Sequence, residues 1–272
     1  MNTAKTLFIL FFVLTIIIFS SCNVVETKAV IEKNIDTVIC TTNATFKLSN
    51  FAIINNCWGK DSITNFTQCV NVKKNSKGLD FGFTWQWPSN INNNVKAYPE
   101  IVFGWKPWDN CTPTTDLLPI NVNSGDTIIV SFDSIETNFN GIGNTSFDLW
   151  ITSSKTPTSS DVTREIMIWT KNYGHFPGNN IVATVIIDDV EYDLYKNDWT
   201  WTFFAFVNKY ETEINSINIH KFISYLLSQN YITPYEFLAS VEFGNEIVSG
   251  SGNTSVKNFK ITYKQHNIGL PI

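Results

Sequence analysis

This sequence has little positive charge to offer a partner. Its 272 residues include 19 Lys and Arg against 24 Asp and Glu, a formal net charge of −5. That leaves no basic footprint for nucleic acid or for an anionic membrane surface. Metal chemistry is equally thin: three histidines and five cysteines form neither a CxxC pair nor a Cys/His set at ligand spacing, which argues against a zinc site. No organic cofactor motif is found, so no cofactor is implied. After Cys40 there is no internal repeat, no composition break and no Pro/Ser-rich linker, which favours one continuous domain. The longest apolar run, Leu7 to Phe19, is too short for a transmembrane helix.

What the chain does have is aromatic surface. It carries 9 Trp, 9 Tyr and 21 Phe, 14 % of all residues, within a hydrophobic share of 43 %. That supports a sizeable core and leaves flat rings over for stacking on sugars or other planar ligands.

The N-terminus reads as a targeting segment. Lys5 supplies the positive region, Leu7 to Phe19 the apolar core, and Ser20-Ser21 the small residues of a cleavage point. Residues 1–22 are therefore expected to be a signal peptide, and the protein secreted or held at the cell surface. Cys22 follows the two serines as in a bacterial lipobox, so a lipidated membrane anchor at Cys22 and ordinary cleavage nearby are both open. Residues 23–39 are expected to be a spacer, and 40–272 the folded domain. With Cys22 set aside, Cys40, Cys57, Cys69 and Cys111 are even in number, which in an exported protein suggests two disulfides with three connectivities open. Sequons stand at Asn43, Asn65, Asn110, Asn144 and Asn253, and matter only in a eukaryotic host.

The rest is a succession of short β-rich runs separated by Asn, Gly, Asp and Ser clusters: TFKLSNFAII, LDFGFTWQW, DTIIVSFDSI, SFDLWIT, EIMIWTK, NIVATVIID, TFFAFVNKY, FLASVEFG and NFKITYKQ. Many short strands with turn signals between them predict an all-β sandwich or closed barrel. One segment differs. Residues 217–230 space Ile219, Phe222, Ile223, Leu226 and Leu227 as an amphipathic helix.

Alternation within three strands exposes the chemistry. In EIMIW (165–169), Ile166 and Ile168 face one way and Glu165, Met167 and Trp169 the other. In FDLW (147–150), Asp148 and Trp150 oppose Phe147 and Leu149. In VEFGNEIVSG, Glu242, Gly244 and Glu246 share a face, and Gly244 leaves room for close approach of a ligand beside Glu246. Carboxylates set among Trp and Gly on strand faces suit a ligand cleft. Phe83, Trp85 and Trp87 share a face that fits a core. Trp105, Trp108, Trp199 and Trp201 are open between core, loop and stacking surface. Glu242 is expected on a solvated rim, and His175 and His220 at the surface or on a helix face.

Taken in order, the motifs resemble glycoside hydrolase family 12. NNCWG (55–59), VKAYPEI (95–101), FDLW, EIMIW, FFAFV (203–207) and VEFGNEIVSGSG (241–252) follow the family's landmarks across nearly all of Cys40 to the C-terminus. The resemblance implies a β-jelly-roll sandwich of two curved antiparallel sheets with one amphipathic helix and a concave cleft. It implies an endo-acting β-1,4-glucanase or xyloglucanase working with retention, a β-glucan polysaccharide as partner, and a monomer. Glu165 matches the nucleophile, Glu246 the general acid/base, and Asp148 the aspartate that hydrogen-bonds the nucleophile. Trp58 matches a stacking aromatic on the non-reducing side. Asn56 joins it as a substrate-binding residue from the same motif, and Met167 and Trp169 form the floor. The resemblance also pairs Cys40 with Cys69, leaving Cys57 and Cys111 as a second bridge. One departure is the loop YGHFPGNN (173–180), which keeps Pro177 and Gly178 but lacks the family's Pro-Ile-Gly, so its shape differs. A non-hydrolytic carbohydrate-binding sandwich does not require both glutamates, and EIMIW and NNCWG favour this family over a family 11 xylanase.

Overall fold

The computed structural model describes residues 36–75, 78–89, 92–109, 113–264 and 266–268. The signal segment, Cys22 and Cys111 lie outside them. In chain order the strands are β1 (Asp36–Ile39), β2 (Thr45–Leu48), β3 (Phe51–Ile54), β4 (Thr67–Asn75), β5 (Gly78–Trp87) and β6 (Glu100–Gly104). There follow β7 (Ile120–Asn121), β8 (Ile128–Ser131), the long β9 (Ser134–Thr152), β10 (Val162–Tyr173), β11 (Ile181–Ile187) and β12 (Val190–Asp198). The chain closes with β13 (Thr202–Asn208), β14 (Ser216–Asn218), helix α1 (Ile219–Ser228), the long β15 (Phe237–Lys257), β16 (Lys260–Tyr263) and β17 (His266–Ile268).

These strands form a jelly-roll sandwich whose two layers share β9 and β15. The first half of β15 and the second half of β9 lie in the concave layer, which runs β2-β3-β6-β15-β9-β10-β13-β12-β11. After an irregularity in the ladder between Ile247 and Ser249, the same two strands continue into the convex layer beside β5, β4 and β1. Such an irregularity bends a strand locally. A small sheet, β14-β8-β16-β17, adds to the second layer.

The core lies between the layers. Phe147, Ile166, Ile168, Phe204, Phe206 and Phe243 from the concave sheet meet Phe81, Phe83, Val130 and Ile261 from the other side. Phe243 packs 4.9 Å from Phe147 and 6.3 Å from Phe81. Truncating such a ring to alanine costs about 3–5 kcal/mol. Trp85 and Trp87 belong to this core, as their shared face suggested. Helix α1 is shorter than its periodic segment, but it buries the expected Ile219, Phe222, Ile223 and Leu226.

Four details differ from the expectations. TFKLSNFAII is a tight hairpin rather than one strand: Leu48 pairs with Phe51, and Ser49 turns the chain with φ of 47°. The sheets are not wholly antiparallel, because β13 runs parallel to β10; the chain enters the sheet edge at β11, folds back twice and arrives on β10's flank in the same direction. Strand β1, within the stretch read as spacer, pairs with β4, so the sheet begins before Cys40. The Cys40–Cys69 bridge follows directly. The Cys57–Cys111 bridge is not formed: Cys57 is a free, buried thiol that accepts a hydrogen bond from Gln68 Nε2 at 3.3 Å.

Candidate active site

The concave sheet gathers the predicted residues, and its register sorts them into two rims. One row crosses the strands through Glu165, Trp150, Ser240 and Gly104. The β12–β13 turn, carrying Trp199 and Trp201, sits beside this row, since Thr202 pairs with both Asp198 and Arg164. The second row lies toward the other end of β9, where Asn144 pairs with Glu246 and Asn172. Between the rows, Tyr98, Met167, Trp169, Phe203 and Ala205 form an apolar cluster separate from the main core. The floor is thus built by residues that alternate with core residues on the same strands.

On the first rim the Trp201 indole N–H donates to Glu165 Oε2 at 2.7 Å. Trp201 is braced by Trp108 and Trp150, with ring centroids 5.2 and 5.4 Å away, and Trp199 stacks on Phe203 at 4.8 Å. On the second rim Asn144 donates its amide N–H to Glu246 Oε2. Ser146 Oγ fixes the Asn144 orientation by donating to its Oδ1 at 2.8 Å. His175 Nε2 stands 3.9 Å from Glu246 Oε2, its ring stacked on Trp169 at 5.3 Å. Burial holds that imidazole down at about 4, so it is neutral at physiological pH.

Both glutamates keep an edge toward solvent, Glu246 with 16 % of its side chain exposed, while protein surrounds the rest. Burial raises Glu165 from its ordinary 4.5 to about 8, with the Glu246 and Glu242 charges adding to the rise and Trp201 and Lys106 opposing it. Glu246 is raised to about 7, again by burial, with Asn144 opposing. Asp148 lies on the same face and is only 5 % exposed, with Oδ1 buried and lacking a hydrogen-bond partner. Burial, then the nearby Glu165 charge, pushes its carboxyl well above the usual range. Beside the expected aspartate, Glu165 has a donor the sequence did not reveal, the indole of Trp201 at Oε2.

The NNCWG motif is explained by its neighbours. Gly59 is required because a Cβ there would meet Val95 O at 2.2 Å, while its N–H bonds Lys96 O at 3.0 Å. This contact docks the loop on the VKAYP segment and presents Trp58, 62 % exposed, at the surface. Asn56 does two jobs: Oδ1 accepts the Trp58 N–H at 3.2 Å, and Nδ2 donates to Glu100 Oε1 at 2.8 Å.

Some expectations are corrected here. Gly244 does not make room for a ligand; its missing Cβ admits Pro99, whose carbonyl oxygen would lie 2.4 Å away. Glu242 is not a solvated rim residue. It is wholly buried and ion-paired to Lys106, because β6 and the loop after it cover that stretch of β15. His175 is not an idle surface histidine but faces Glu246. Sequence reasoning also missed Asn144, noticed only as a sequon, and Tyr98, whose hydroxyl donates to Ser146 O at 2.9 Å. It left Trp201 undecided. Pairing opposite Glu246 would have pointed to Asn144, but no pattern in the chain fixes that register.

A jelly roll whose concave face sets two half-buried glutamates on opposite sides of an aromatic floor is the architecture of a glycoside hydrolase. The Glycosyl hydrolase family 12 profile matches residues 49–264, and the chain belongs to that family. Endoglucanase S of Pectobacterium parmentieri is 30 % identical over 227 residues, covering 80 % of this chain and 84 % of that protein. Xyloglucan-specific endo-beta-1,4-glucanase A of Emericella nidulans is 27 % identical over 221 residues, covering 78 % and 85 %. Among solved structures, a family 12 xyloglucanase from Bacillus licheniformis in complex with ligand superposes with a TM-score of 0.75 at 29 % identity, covering 84 % of this chain and 99 % of that one.

Proposed function

We propose that this protein is an exported, endo-acting hydrolase of β-1,4-glucan backbones, with Glu165 as nucleophile and Glu246 as general acid/base. The observation that carries the assignment is the contrast in their partners. Glu165 is held by a rigid indole N–H within a tryptophan cluster, as a carboxylate that must attack along one line would be. Glu246 is held by the amide of Asn144 beside a neutral imidazole.

In the first step a Glu165 carboxylate oxygen bonds to the anomeric carbon as the glycosidic C–O bond breaks, and the Glu246 proton moves to the departing oxygen. In the second, water gives a proton to Glu246 and its oxygen to the anomeric carbon, releasing Glu165 and retaining the anomeric configuration. This requires the two carboxyl groups to work roughly 5 Å apart. Asp148 is positioned to share a proton with Glu165 and hold its charge in place. Trp58 offers a stacking platform on the non-reducing side, Asn56 fixes that loop, and Met167 and Trp169 floor the reacting sugar. The open concave face suits attack within a chain, and the relatives' names support β-1,4-glucan and xyloglucan as substrates. The N-terminal segment supports export, with lipidation at Cys22 the variant to be decided by mass.

Incubation with xyloglucan, barley β-glucan, soluble cellulose and xylan, with products identified by mass, tests the reading. Internal glucan fragments released with initial retention by NMR are expected. Cleavage of xylan alone, or binding without products, would overturn it.

A further inference from the structure

The concave sheet holds a second charged assembly that the two-glutamate chemistry leaves unused. Lys106 Nζ lies 3.0 Å from Glu100 Oε2 and 2.7 Å from Glu242 Oε2, and both carboxylates are wholly shielded from solvent. Their other oxygens are satisfied, Glu100 by Asn56 and Glu242 by Ser240 Oγ at 3.0 Å. Burying an ammonium with two carboxylates is unfavourable relative to an apolar trio of the same volume. Packing therefore gives no reason for these charges.

Position does. Glu242 pairs across the ladder with Asp148, whose Oδ1 has no hydrogen-bond partner, and Asp148 lies on the face of Glu165. Lys106 also begins the loop that carries Trp108. That tryptophan adopts a φ of 59°, a region uncommon for bulky residues, and packs against both Trp150 and Trp201.

We propose that Lys106 is a positioning residue for the nucleophile: seated between Glu100 and Glu242, its ammonium sets the field in which Glu165 ionises and anchors the loop that presses Trp108 onto Trp201. The inference rests on the reading of Glu165 as nucleophile. The charged groups acting on Glu165 are Glu246 and Glu242 from β15 and Lys106 from the loop after β6; Asp148 from β9, its own carboxyl held well above the usual range, shares the face, and Trp201 is an uncharged donor. Lys106 itself meets Glu100, Glu242 and Asp148. Burial alone would draw it down, but those carboxylates more than reverse this and keep it protonated. Tyr98 lies within their reach and gives its hydroxyl to Ser146. Removing the ammonium therefore raises Glu165, and removing the Glu242 charge lowers it. A merely structural cluster predicts no such opposition of sign.

The test uses 2,4-dinitrophenyl 2-deoxy-2-fluoro-β-cellotrioside on the full protein and on Lys106→Met, Lys106→Arg and Glu242→Gln. The carboxylate forms an ester with the anomeric carbon as the bond to dinitrophenolate breaks. That leaving group needs no proton, so the pH dependence of labelling reports the nucleophile's ionisation alone. With Lys106→Met the midpoint should rise by about one unit, slowing labelling about tenfold on the acid limb. With Glu242→Gln it should fall, and Lys106→Arg should stay nearest the parent. Label on Glu165 with midpoints unmoved, or moved the same way in both charge variants, overturns the proposal and leaves the nucleophile standing. Label recovered on another residue overturns the nucleophile assignment and the proposal with it. Should Lys106→Met fail to fold, the direction of the Glu242→Gln shift decides.

Discussion

On the Glu165 rim the carboxylate meets an indole N–H fixed by two further packed tryptophans, whereas on the Glu246 rim it meets an amide fixed by hydrogen bonds and an imidazole resting on Trp169. The first surrounding is stiff and apolar, with a lysine behind it. The second is polar and built from side chains that can follow a proton as it leaves and returns. Taken one at a time, Glu165 lies above Glu246, about 8 against about 7, the reverse of the order that attack requires. Part of the rise at Glu165 is repulsion from an ionised Glu246, and it vanishes once Glu246 holds the proton. Glu165 then keeps the indole and the lysine, the donors that favour its charge.

Breaking the comparison outright should have the largest effect. Glu165→Gln is expected to lower turnover on every substrate by roughly 10⁴-fold or more, with polysaccharide binding kept in a pull-down assay. Glu246→Gln should match that loss on polysaccharide but lose far less in kcat/KM on dinitrophenyl glycosides, whose departure needs no proton, while release of the glycosyl-enzyme stays slow for want of the base; equal losses of kcat/KM on both would remove the acid role. Trp201→Phe keeps the packing and deletes the N–H. The acid limb of kcat/KM should rise by about one unit, with turnover down about tenfold at the acid end. Asn144→Ala sharpens the other side: Glu246 loses its donor, so the alkaline limb should move up by up to about one unit while the acid limb stays. An unchanged alkaline limb would detach Asn144 from the acid/base.

The smallest effect is on stability. Both carboxyls are raised in the folded protein above the ordinary value of 4.5, so the fold binds these protons more tightly than the unfolded chain does. Their contribution is fully present below about pH 4.5 and is lost as pH climbs through about 7 to 8. Glu165→Gln, permanently uncharged, should therefore raise Tm at pH 8 by on the order of 4 °C and leave it unchanged at pH 4.5. An equal gain at both pH values would mean a packing effect.

Much of this molecule could be read from local pattern. Two-residue alternation in EIMIW and FDLW placed Ile166, Ile168, Phe147 and Leu149 in the core and Glu165, Met167, Trp169 and Asp148 on the cleft face. Helical spacing found α1. These succeed because the period of side-chain direction is a property of the backbone itself. The run TFKLSNFAII defeated the same reasoning, since alternation continues through a turn that only the φ of Ser49 reveals. Glu242 and Gly244 defeated it differently. Their face was read correctly, but what covers that face comes from β6 and the loop after it, distant in sequence.

The sequence by itself determined the strand-rich layers, the faces and the two glutamates, because each depends on residue type and on neighbours one or two positions away. Only the tertiary structure decided that Trp201 holds Glu165, that Asn144 and His175 attend Glu246, and that Lys106 joins Glu100 to Glu242. Those partners come from different strands and loops, and the register and bending that bring them together are set by the whole fold.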